Sequence, residues 1–150
     1  GVADLCKMLS YQINVALGTD GPASNNALDM FREMYLAATL QKVTKKDAAA
    51  MDAIDVLRMA TVGGAVAMGL QQCDTLEEGK LADVIMIDMH RPNMQPENNI
   101  LKNIVYSGSK ENVKMTMIDG KILYENGTFH LPEDAEEIYQ KANRIINRMR

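Results

Sequence analysis

Tryptophan is absent from this chain, and phenylalanine, cysteine and histidine occur only twice each. Cys6 and Cys73 show no CxxC spacing, which excludes a disulfide framework and a thiolate metal module; they read as reduced thiols of a cytoplasmic protein. His90 and His130 fall outside any metal-ligand spacing and read as surface or packing residues. Positive charge is not in excess. Sixteen Lys and Arg against 20 Asp and Glu leave a net charge of −4, so the electrostatic footprint of a nucleic-acid binder is missing. Arg144, Arg148 and Arg150 accordingly read as the solvated face of a helix. No apolar run approaches the roughly 20 residues of a membrane span, and the N-terminus does not resemble a signal peptide.

What is present suits one globular core. The 150 residues are 47% apolar and 24% charged, enough to bury a core but short of the roughly 200 that a complete (β/α)8 barrel needs. Twelve methionines, scattered through the helical and strand patterns, read as core filler. The chain begins with Gly1, which fits a processed or excised piece as well as a cloning scar.

Hydrophobic spacing divides the chain into two patterns. Residues 2–9 read as a short helix and residues 13–17 as a buried strand, followed by a loop over 18–27. A helix is expected over 28–42 with Leu28, Phe31, Tyr35 and Ala38 on one face, started by the side-chain oxygens of Ser24, Asn25 and Asn26. Asp52 is placed to cap a second helix through Ile54, Leu57 and Ala60, and Thr61 a third over 62–68 that Gly69 ends. After Gly69, residues 83–88 read as a strand bracketed by turn or edge acids Asp83 and Asp88, and residues 104–106 as a short strand. Asp119-Gly120 between residues 113–118 and 121–124 is a hairpin signal, and residues 133–149 close the chain as an amphipathic helix. The expected division is therefore 1–70 α/β, 71–130 a small β unit and 131–150 a helical tail. One βα unit cannot cover both faces of its own strand, so the first part reads as a portion of something larger.

One carboxylate stands out. Asp20 ends the apolar run in Val-Ala-Leu-Gly-Thr-Asp-Gly-Pro-Ala-Ser-Asn-Asn, residues 15–26, and α/β folds place their chemistry at such strand ends. Taken alone it also reads as a loop acid capping the next helix or turn. Ser24, Asn25 and Asn26 read first as helix caps and second as contacts to the polar edge of a ligand, and Arg32 and Glu33 as solvated helix residues.

The same segment, followed by Leu28-Asp29-Met30-Phe31, resembles the last barrel strand and helix of the amidohydrolase superfamily. The stretches at 56–61 with Gly63-Gly64-Ala65, at 79–84, and at 113–123 around Asp119-Gly120 resemble it in the same order. Within it, the subgroup most similar is the 5-methylthioadenosine/S-adenosylhomocysteine deaminases and related chlorohydrolase-like enzymes.

The resemblance implies an α/β fold: the C-terminal part of a (β/α)8 metal-dependent hydrolase barrel, its last strand and helices. Part of a small β-sandwich and a C-terminal helix complete it. It implies that Asp20 is a metal ligand and catalytic proton carrier that also meets substrate, with Ser24 a second substrate contact. The implied cofactor is a divalent metal, zinc first, and the implied substrate a purine nucleoside deaminated by hydrolysis. The HxH pair and the later histidines of the family are not in these residues, so the isolated chain is expected to be inactive and to hold no metal. The alternatives are a related amidohydrolase acting on a chlorotriazine, guanine or cytosine, or a stand-alone, non-catalytic binding or assembly module. The expected partners are a small molecule and further copies of the chain in a homo-oligomer, with neither nucleic acid nor membrane.

Overall fold

The structure is a computed structural model, and it describes residues 1–149; Arg150, the last member of the arginine group, lies outside the described residues. The N-terminal segment forms helix α1, Leu5–Ser10, whose N-cap Asp4 accepts the Lys7 N–H at 3.0 Å. Between Gln12 and Asp20, both at positive φ (57° and 58°), the chain forms no helix and alternates in burial, with Val15, Leu17 and Thr19 half-buried and Asn14, Ala16 and Gly18 exposed. That period of two is strand geometry. The segment nevertheless pairs with no strand among the described residues; it is tied to the following helices by the Leu17 N–H, which donates to the Met59 carbonyl (3.0 Å), and by Asn14 Nδ2, which donates to the Gly63 carbonyl (3.1 Å).

The long helix α2 is Met30–Lys45, and its start differs from the sequence expectation. Asp29 is the N-cap and accepts the Phe31 and Arg32 N–H groups at 3.0 and 3.3 Å, so neither Ser24, Asn25 nor Asn26 starts this helix. The buried stripe differs as well. It is Phe31, Met34, Ala38 and Gln41, while Leu28 and Tyr35 face outward. Buried Gln41 is satisfied by the N-terminal segment, donating to the Ala3 carbonyl (2.8 Å) and accepting the Leu5 N–H (3.1 Å). A glutamine with both ends of its amide used in this way is buried without penalty.

Helix α3, Ala53–Ala60, buries Ala53, Val56 and Met59; of the expected face Leu57 and Ala60 are half-buried against the same cluster while Ile54 is exposed, and Asp52 makes no side-chain cap bond. Helix α4, Val62–Met68, ends at Gly69 in the left-handed conformation, as expected. Strand β1, Val84–Ile87, follows as expected, flanked by Asp83 and Asp88, which act in turns: Asp83 accepts the Asp119 N–H at 2.7 Å and Asp88 the His90 N–H at 2.9 Å.

Residues 104–106 do not form the expected strand. They belong to helix α5, Ile100–Ser107, capped by Asn99, which accepts the Lys102 N–H at 3.0 Å. The β-branched run suggests a strand, but buried Val105 packs into the cluster formed by Phe31, Met34, Ala38, Met51, Ala53, Val56 and Met59. Tertiary packing outweighs local propensity here.

Strands β2 (Val113–Ile118), β3 (Lys121–Glu125) and β4 (Thr128–Phe129) join β1 in one antiparallel sheet of order β1-β2-β3-β4. Asp119 and Gly120 have φ of 49° and 74°, both positive, as a type I′ turn demands. Asn126-Gly127, with φ of 48° and 90°, makes a second hairpin that the sequence reading passed over, and it brings Tyr124 and Phe129 to 5.1 Å between ring centres. Ile87 and Val113 pack against the helical cluster and so join the sheet to it. Five of the ten buried apolar residues are methionines (Met34, Met51, Met59, Met94 and Met115), while Met68, Met86 and Met149 are exposed. Helix α6, Ala135–Arg148, forms where expected, but none of its residues is buried.

Candidate active site

The site is built at the end of the strand-like segment. Asp20 is exposed, as are Asn14, Ala16 and Gly18 before it, while Val15 and Leu17 pack against the helical cluster. Asp20 takes φ = 58°, in the left-handed region that non-glycine residues seldom adopt and that Asp tolerates better than most. Its own Oδ1 accepts the Gly21 N–H at 2.7 Å. One carboxylate oxygen is thus held by the backbone and the other makes no recorded bond.

The loop beyond is tied down by Asn25. Its N–H and that of Ser24 donate to the Gly21 carbonyl at 2.9 and 3.0 Å. Its Nδ2 donates to the Thr19 carbonyl (2.9 Å) and to Glu33 Oε1 (2.8 Å), and its Oδ1 accepts the Ala27 N–H at 3.4 Å. Glu33 is therefore a half-buried partner of the loop rather than the solvated helix residue expected from the sequence. Ser24 is exposed and its hydroxyl makes no recorded bond. The structure brings Asp20 and Ser24 into one loop; His90 and His130 lie on the β unit, His90 facing Glu97 at 3.9 Å.

An oxygen donor such as Asp20 is of the kind zinc accepts, but a zinc site takes about four ligands. Among the described residues no group of three or more His, Cys, Asp or Glu side chains is placed to hold a metal. The donor type fits and the donor number does not, so these residues by themselves do not make the metal centre.

The chain is mixed α/β, its helices packed beside a small antiparallel sheet and Asp20 lying past the end of a strand-like segment. The family model for the amidohydrolase family matches residues 1–123, and the chain belongs to that family. A 5-methylthioadenosine/S-adenosylhomocysteine deaminase from Caldanaerobacter subterraneus subsp. tengcongensis is 40% identical over 151 residues, covering 100% of this chain and 35% of the relative. The crystal structure of an adenosine deaminase from Xanthomonas campestris with bound zinc matches with a TM-score of 0.93 at 35% identity, over 99% of this chain and 34% of that one. The zinc complex of the atrazine chlorohydrolase TrzN from Arthrobacter aurescens TC1 matches with a TM-score of 0.88 at 26% identity, over 97% and 32%. The chain thus spans about a third of the length of the curated relatives it matches. The expected fold, part of an amidohydrolase barrel with a small β unit, is borne out by these neighbours.

Proposed function

We propose that these residues form part of a metal-dependent hydrolase that deaminates an adenosine-like nucleoside, 5-methylthioadenosine or S-adenosylhomocysteine. The observation that carries the reading is Asp20, held by Gly21 at the end of the strand-like segment with one carboxylate oxygen unengaged, in a chain 40% identical throughout to a deaminase of that name. In this reading Asp20 is one ligand of a divalent metal, zinc first, whose other ligands come from residues outside this chain. The metal, when bound, lowers the pKa of a water towards neutrality. Asp20 accepts the proton from the attacking water and delivers it to the departing ammonia. Ser24, exposed on the same loop, is assigned to the polar edge of the substrate.

The 150 residues alone are expected to be inactive, because they supply one metal donor. Residues 1–70 are assigned to the end of the barrel, 71–130 to the β unit and 131–150 to a terminal helix, with α5 the part of the second unit that packs into the first. The compartment is taken as the cytoplasm, on the two free thiols; no described helix is long and apolar enough to cross a membrane. A homo-oligomer is proposed from the apolar surface described below.

The test is deamination by the full-length protein, followed as loss of the adenine chromophore. Asp20→Asn, which keeps the side-chain size and the tolerance for positive φ, is expected to lower kcat by on the order of 10²–10⁴. Full activity in that variant would sink the assignment. The likeness to the chlorohydrolase favours one second reading, hydrolysis of a chlorotriazine or another amino-heterocycle such as guanine or cytosine. A panel of these against the two nucleosides separates them, and inactivity on all of them would leave the non-catalytic binding module.

A further inference from the structure

Asp20 stands in a left-handed backbone conformation, and one residue grips the chain on both sides of it. The geometry points to Asn25 as the positioning residue for the Asp20 carboxylate, with Glu33 as its anchor on α2. The inference rests on the proposed role of Asp20. Asn25 Nδ2 holds the Thr19 carbonyl at 2.9 Å, which sets the peptide plane entering Asp20. The Asn25 N–H holds the Gly21 carbonyl at 2.9 Å, on the exit side. Gly21, so fixed, presents its N–H to Asp20 Oδ1 at 2.7 Å. The clasp needs a rigid base, and Glu33 supplies it. Its Oε1 accepts from Asn25 Nδ2 at 2.8 Å, and it sits in the first turn of α2 between buried Phe31 and Met34. Only a side-chain amide of this length donates to Thr19 and Glu33 at once while accepting from Ala27. Aspartate lacks the donor and would meet Glu33 with like charge.

The experiment uses the full-length protein with 5-methylthioadenosine, and reads kcat and KM separately alongside amide hydrogen exchange of residues 18–27. Asn25→Ala is expected to lower kcat at least about tenfold, the loss typical of a misplaced catalytic group, with KM changed less than about threefold. Faster exchange should be confined to that loop. Asn25→Asp should be at least as impaired, whereas Glu33→Gln, which keeps an acceptor oxygen, should recover most of the kcat that Glu33→Ala loses. Unchanged kcat in Asn25→Ala overturns the inference. So does a loss of kcat accompanied by faster exchange throughout the helical core, which marks a general structural role. If the wild-type protein deaminates nothing, the proposed function fails on its own. The exchange data then still decide the clasp: protection of the loop unaltered by Asn25→Ala would refute it.

Discussion

Gly63 sits in the first turn of α4, against the carbonyl of Val15 in the segment that carries Asp20. A β-carbon at this position overlaps the Val15 oxygen and presses on the Arg58 carbonyl at 3.3 Å; both obstacles are backbone and cannot swing aside. Gly63→Ala is therefore expected to cost about 1–3 kcal/mol, the range for overpacking, read as a lower urea midpoint at unchanged slope. Gly64, with nothing near its would-be β-carbon, provides the control: its alanine variant gains helix propensity and should be no less stable. The acid at position 20 stands out in the sequence because it follows an apolar run and is flanked by Gly18 and Gly21, although by itself it also reads as a loop acid. Asn25 was legible only as a cap or a ligand contact, since its partners Thr19 and Glu33 lie six and eight residues away along a path that the turn alone defines.

Helix starts decide the next scale. Three candidate caps, Ser24, Asn25 and Asn26, precede α2, yet Asp29 closes it with two backbone bonds. Asp29→Ala should cost about 1 kcal/mol, whereas Ser24→Ala, at an exposed hydroxyl without a bond, should stay within about 0.5 kcal/mol. Thermal or urea unfolding of the two variants side by side checks the contrast. The extra candidates exist because Asn, Ser and Asp favour loops as strongly as caps, and local sequence does not say which one the chain direction selects. The hairpins behave oppositely. Asp119-Gly120 and Asn126-Gly127 both form, because positive φ at two successive residues is a local demand that these pairs satisfy. Helix α5 shows the remaining case, in which a run with strand propensity becomes helical once Asn99 caps it and the neighbouring helices bury Val105.

At the scale of the whole molecule, charge ties the N-terminal segment to the end of α2 and pins the turn before β1. Lys45 bonds to Asp4 at 2.6 Å across the helical unit, and Lys80 pairs with Asp74 in the turn before β1. These lysines hold the Asp4 and Asp74 carboxyls below their ordinary value of 3.8; Asp88 is held down first by the His90 N–H and then by Lys114. A carboxyl with a depressed folded pKa binds its proton more readily in the unfolded chain. The stability it lends is complete above the unfolded value and is lost as pH falls through the folded one. The urea midpoint should therefore hold from about pH 7 to about pH 5 and fall below about pH 4, and an Asp74→Asn, Asp88→Asn double variant should show a shallower fall. Lys45 and Lys80, raised above 10.5, act in the opposite sense, and their contribution disappears only in strong alkali. Apolar surface is the other property of this scale. Ile138, Ile145 and Ile146 line α6 without becoming buried, and Ile85 and Met86 of β1 are each more than half exposed. Such surface favours association. The proposed homo-oligomer predicts a mass above that of one chain in sedimentation at micromolar concentration; a clean monomer counts against it.

The sequence by itself determined what is local or periodic: the hairpin at Asp119-Gly120, the left-handed stop at Gly69, the strand at 84–87, the amphipathic α6, and the acid at the end of an apolar run. Each follows from neighbours within a turn or two, where backbone sterics act without help. Only the tertiary structure decided which side of α2 and α3 is inside, that residues 100–107 are helical, and that buried Gln41 holds the N-terminal segment. It also decided that Asn25 and Glu33 hold the backbone around Asp20. Those choices depend on what lies across a packed interface, and burial of apolar area there, at roughly 25 cal/mol per Å², exceeds the few tenths of a kcal/mol by which local preferences differ.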